Sequence, residues 1–142
     1  MTKLRWTCLI NKDNITDIHL QENLPAPALA DGEIEVAINR YALTANNITY
    51  ATLGKSFGSW TDMPGYWAFF PWQQGDQFGQ LPVWGFATVC RSNHPFIPEG
   101  EELYGYFPMS SHLVMKPGKI SGTAVNDIMP QPPTDQPRKY CM

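Results

Sequence analysis

The chain has 142 residues and a mass of 16.0 kDa, room for one hydrophobic core of ordinary size and not for a second domain of its own. Thirteen acidic against ten basic residues leave a net charge of −3, and the basic residues are scattered, with only Arg138 and Lys139 adjacent, which excludes a cationic stripe for a nucleic-acid backbone. No window approaches the run of about 20 apolar residues that spans a bilayer, and the opening residues lack the apolar heart of a signal peptide, so a cytoplasmic protein with no membrane or nucleic-acid partner is expected.

Residues 4–11 place Trp6, Cys8 and Ile10 on one alternate face, Lys12-Asp13-Asn14 is a turn sequence, and residues 15–20 continue the pattern, which predicts an opening hairpin. Pro25 and Pro27 make residues 22–30 an extended surface connection. After the Asp31-Gly32 turn, residues 33–39 alternate without a fault. Ile34, Val36 and Ile38 are expected inward, and Glu33, Glu35, Ala37 and Asn39 outward. Residues 44–53 carry polar caps and end at Gly54, the pattern of one or two helical turns.

More than half of the aromatic rings fall within residues 57–86, where Gly58, Pro64, Gly65, Pro71, Gly75 and Gly79 interrupt every period. That stretch reads as a long loop stabilised by ring burial. Residues 81–91 read as a strand with Gly85 as a kink or close-approach point. Two short strands follow over 103–107 and 112–116, with Pro117-Gly118 ending the second. Residues 128–142 hold four prolines and read as a tail ordered only if something holds it, so the division is a β domain over 1–127 and a Pro-rich tail over 128–142. Six or seven short strands and at most two short helices predict a mainly β, mainly antiparallel barrel or sandwich.

Cys8, Cys90 and Cys141 are odd in number and far apart, which fits reduced thiols and neither a disulfide frame nor a zinc cluster. His19, His94 and His112 are not at ligand spacing, so no metal is expected. Ser110-Ser111-His112 sets hydroxyls beside an imidazole without an evident acid to orient it, which argues against a hydrolase.

Gly32-Glu33-Ile34-Glu35-Val36-Ala37-Ile38, the following Ala42, Thr44, Ala45, Asn46, Asn47, Thr49 and Tyr50, the turn from Gly100 to Gly105, and His112-Leu113-Val114-Met115-Lys116-Pro117 share their order and spacing with a known pattern. They resemble the N-terminal GroES-like domain of the medium-chain dehydrogenases and reductases, in the zinc-independent branch that includes the quinone oxidoreductases. The similarity spans residues 31–117 and implies a GroES-like, partly open barrel with one or two short helices. Where zinc-dependent members carry a cysteine and a Gly-His-Glu, this chain has Ala45-Asn46 and Trp84-Gly85-Phe86-Ala87. The family's dinucleotide-binding half has no counterpart, since no G-x-G-x-x-G occurs.

The resemblance puts Asn46 and Tyr50 beside the nicotinamide and substrate, as candidate catalytic and substrate-binding residues, with Tyr50 as a proton donor. The competing reading has Asn46 and Asn47 merely capping a helical turn. Trp60, Tyr66, Trp67, Phe70 and Trp84 are candidates for the wall of an apolar pocket or a docking patch, against the alternative of a satellite core. The expected function is a stand-alone or truncated substrate-side domain, inactive alone, that binds an apolar ligand or a protein partner. Alternatives are the substrate-binding subunit of a split oxidoreductase and a self-associating homo-oligomeric module. No cofactor is expected on this chain alone; NAD(P) enters only if a separate Rossmann-containing chain supplies it.

Overall fold

Lys12 and Asp13 turn the chain because Asn11 Oδ1 accepts the Asp13 N–H at 2.9 Å, a side chain standing in for the backbone of a tight turn. The strands so joined are β1 (Thr7–Asn11) and β2 (Asn14–Gln21), the expected hairpin. The computed structural model describes residues 4–54, 65–72, 74–128 and 138–142. After the hairpin come β3 (Ile34–Tyr41), α1 (Ala45–Thr52), a 3-10 turn at Tyr66–Ala68, β4 (Phe78–Gly79), β5 (Pro82–Ser92) and β6 (Glu102–Pro108). The chain closes with β7 (His112–Met115), β8 (Pro117–Ser121), β9 (Ala124–Asp127) and β10 (Arg138–Cys141).

The molecule is mainly β, as expected, and its seven-stranded sheet is nearly closed into a barrel in the order β7-β3-β5-β6-β10-β9-β8. The two terminal strands of that order, β7 and β8, are separated in the chain by Lys116 alone, so one bend brings the ends of the sheet together. Asp127 Oδ1 accepts the Lys116 N–H at 3.0 Å and fixes the bend. A second sheet, β2-β1-β4, lies against the barrel through backbone bonds from Cys8 to Met109 and from Ser111 to Trp6, both 2.9 Å.

The barrel interior is filled by Ile34, Val36, Val83, Ala87, Val89, Leu103, Phe107, Met115 and Val125, all buried. Burial of side chains of this size, at about 1.5–3 kcal/mol each, is the main force holding the strands to one register. Gly85 and Gly105 sit opposite each other on β5 and β6. A Cβ at Gly85 would lie 2.1 Å from the Arg40 carbonyl, and one at Gly105 would lie 2.6 Å from the Tyr140 ring, so Gly85 is the close-approach point its strand pattern suggested.

Three expectations need correction. Glu35 and Ala37 do not face water: both are buried, and at Glu35 the chain before β1 and the connection after β2 come over that side of β3. Pro117 begins β8 and does not simply end a strand. The boundary after residue 127 cuts through the sheet, since Arg138–Cys141 is held between β6 and β9 by antiparallel pairing to each.

Candidate functional site

The strand alternation that buries Val83, Gly85 and Ala87 turns Trp84 and Phe86 outward on β5, and the register of β6 sets Tyr106 opposite Trp84 and Tyr104 opposite Phe86. Cross-strand neighbours of this kind touch. Trp84 lies 4.1 Å from Tyr106 and 5.7 Å from Tyr104 between ring centroids, and Phe86 lies 5.0 Å from Tyr104. The array continues toward α1, where Tyr50 meets the edge of Tyr106 at 6.1 Å and stacks on Tyr66 at 4.3 Å. At its other end the Arg40 guanidinium sits 5.8 Å from the Phe86 ring.

Trp84, Phe86 and Tyr104 remain 44%, 39% and 42% exposed, so this array is a surface and not a core. Beside it a shallow depression of about 460 Å³ is lined by Arg40, Gly85, Glu102 and the three exposed rings. Burial, reinforced by hydrogen bonding to Tyr50, pushes the Tyr106 phenol well above its ordinary value, and burial also raises Tyr66. Both are neutral hydroxyls at physiological pH.

The structure divides the expected site residues. Tyr50, Tyr66 and Trp84 come together in the array. Trp67 and Phe70 are buried, Trp67 in the core over Gly54 and Gly79, and Phe70 under the Arg138 guanidinium at 4.5 Å. Trp60 lies outside the described residues. Asn46 is exposed on the first turn of α1, one turn before Tyr50. The capping role belongs to Thr44 and Asn47: Asn47 Oδ1 accepts the Thr44 N–H at 2.8 Å and Asn47 donates to the Pro82 carbonyl at 3.3 Å, while Asn46 contributes only its backbone N–H to Thr44 Oγ1.

A second constellation was not anticipated. Glu35 accepts a bidentate bond from Arg5, at 2.5 and 2.8 Å, and a further bond from Arg91 Nε at 2.9 Å. Burial would raise this carboxyl, but the two guanidiniums outweigh it and hold it at about 2. A bulge between β3 and β5, where Glu35 pairs Arg91 but Val36 pairs Val89, leaves Cys90 as the extra residue and turns its thiol toward the same carboxylate at 3.5 Å. His112, on the other neighbour of β3, completes the group: Glu35, Cys90 and His112 present ligand atoms within 4.8 Å of one another. Glu35 and His112 line a cleft of about 300 Å³ that runs to Phe70 and Arg138. Glu35, on a neighbouring strand, thus brings near His112 a carboxylate that the primary sequence does not place there.

Every strand pair among the described residues is antiparallel, so they contain no βαβ unit of the Rossmann kind, and the N-terminus of α1 is closed by its own capping box. Residues 41–139 match the family model described as a protein of unknown function (DUF2855). The chain belongs to the DUF2855 family. The DUF2855 match contains the whole aromatic array, from Tyr50 to Tyr106, together with Cys90 and His112, and leaves Arg5 and Glu35 outside. No curated protein matches the chain. Among the described residues of this DUF2855 protein, no helix is long and apolar enough to cross a membrane.

Proposed function

We propose that this domain is a binding module for a flat, apolar ligand, seated on the array formed by Tyr50, Tyr66, Tyr106, Trp84 and Tyr104, and that it is related to the substrate-side, GroES-like half of a zinc-independent quinone-type oxidoreductase. The observation that carries this reading is the continuity of the rings from α1 across β6 to β5, with three of the β5 and β6 rings still exposed. Exposed π-faces held rigid by cross-strand packing lose little entropy when they stack on a planar ligand. The Tyr50 and Tyr106 hydroxyls have two protons between them and use one on each other, which leaves one to donate to a ligand carbonyl at the ring edge.

The barrel with a capped helix directly after β3 supports the proposed kinship, and so does the position of Tyr50 within the array. In this reading Asn46 stands at the rim, and hydride chemistry requires a separate Rossmann-containing chain. The domain alone is inactive as a dehydrogenase.

Calorimetric titration with 1,4-naphthoquinone tests the proposal. Binding is expected to weaken about tenfold in Tyr50→Ala and in Trp84→Ala, the loss of roughly one aromatic stacking contact. Equal affinity in both variants and the wild type sinks it. Titration of the isolated chain with NADPH is expected to show no binding, and saturable binding contradicts the reading.

A further inference from the structure

We propose that Glu35, Cys90 and His112 form a three-ligand site for Zn²⁺. The site shares no residue with the aromatic array, and its ligands stand at none of the positions where the GroES-like family carries zinc. Three adjacent strands, in the order β7-β3-β5, deliver one ligand each. The bulge that inserts Cys90 is what places the sulfur on the same side as Glu35, since strict alternation would keep Cys90 and Arg91 on opposite faces.

A thiolate, an imidazole and a carboxylate are the donor types that Zn²⁺ takes, and three protein ligands leave a fourth position open. Metal–ligand bonds of about 2.0–2.3 Å put the ligand atoms of a tetrahedral site roughly 3.5 Å apart. The observed spacing, within 4.8 Å, is wider than that, and Cys90, whose thiol makes only contacts of 3.4 and 3.5 Å, is the ligand that rotates to close it. Glu35 and His112 both line the cleft of about 300 Å³, which gives the fourth position access to solvent.

The surrounding groups have the form of a supporting shell. His112 Nδ1 lies 2.8 Å from Ser111 Oγ, whose hydroxyl oxygen also accepts the Trp6 N–H at 2.9 Å, so one ring nitrogen is anchored by a hydroxyl that is itself fixed. Arg91 holds one carboxylate oxygen in place, whereas Arg5, bound to both oxygens, competes with the ion for them. Binding breaks the Cys90 S–H bond, forms the Zn–S bond and releases one proton to solvent. The carboxylate is shared with two guanidiniums, so the thiolate alone brings new negative charge to the ion, and the affinity stays below that of an all-thiolate site.

The test uses the reduced full chain, titrated with Zn²⁺ against a chromophoric chelator and, in parallel, with Co²⁺. One equivalent of Zn²⁺ is expected, with a near-ultraviolet thiolate-to-Co²⁺ absorption. Cys90→Ser should abolish that absorption and His112→Ala should weaken Zn²⁺ binding at least tenfold, with circular dichroism confirming the fold and His112→Gln replacing a variant that does not fold. Arg5→Ala removes one positive charge beside the ion and should tighten binding. No thiolate absorption with Co²⁺, an affinity indifferent to Cys90 and His112, or an affinity that does not rise in Arg5→Ala would each overturn the site.

Discussion

At Glu35 a carboxylate only 1% exposed faces two guanidiniums, and its titration contributes to how the fold responds to acid. Its carboxyl is lowered from an ordinary value of 4.5 to about 2 in the folded protein. Between those values the unfolded chain binds a proton that the native state does not, so the clamp stabilises the fold fully above about pH 4.5 and loses that contribution as the pH falls toward about 2. Glu35→Gln leaves two guanidiniums facing a neutral amide, at a cost of about 3 kcal/mol at pH 7. The low end of the range for a broken buried pair applies because the Arg91 side chain is 36% exposed and can rehydrate. Urea unfolding at pH 7 and at pH 2.5 should show the gap between wild type and variant shrinking in acid; a gap of constant size contradicts the assignment. This carboxylate was hidden from a reading of alternation, which assumes one wet face, whereas a segment distant in sequence covers β3 on that side.

Strand β10 shows what an element gains from a single ion pair. Arg138 stands directly opposite Asp127, with side chains 6% and 0% exposed, and also donates to the Phe69 carbonyl. Arg138→Ala takes the guanidinium away from the buried Asp127 carboxylate and should cost about 3–5 kcal/mol. Amide exchange should accelerate in β9 and β10 well before β3 and β5; uniform acceleration contradicts a local role. On the other side of β10, Gly105→Ala forces a Cβ to within 2.6 Å of the Tyr140 ring and should cost about 1–3 kcal/mol by overpacking, read as a lower urea midpoint. The hairpin, β3 and the Gly85 approach were legible because each is written in local periodicity or turn chemistry. Strand β10 was not, because Arg-Lys-Tyr-Cys after a Pro-rich run has no apolar alternation and becomes a strand only through partners some distance back in the chain. The same holds for Cys90: a bulge is a property of two strands in register, which one strand's residues do not encode.

On the scale of the whole molecule, the barrel carries two separate surfaces on shared strands: β5 presents Trp84 and Phe86 at one end and Cys90 and Arg91 at the other. The aromatic surface was half legible, since ring density marked the region while the register of β5 against β6 decided which rings meet. Any ligand that binds only the folded state stabilises it, by about 2.7 kcal/mol at a hundred times its dissociation constant. For a domain of this size that corresponds to a rise of roughly 8 °C in melting temperature. Saturating 1,4-naphthoquinone should therefore raise the melting temperature of the wild type and of Cys90→Ser alike, and leave Trp84→Ala much less affected. Zn²⁺ should do the reverse, stabilising the wild type and Trp84→Ala but not Cys90→Ser. Because Trp84 and Cys90 stand six positions apart on β5, roughly 20 Å at about 3.3 Å per residue, the two shifts should add when both ligands are present. Loss of both responses in either single variant would show that the two ends of β5 act as one site, and neither assignment could then stand separately.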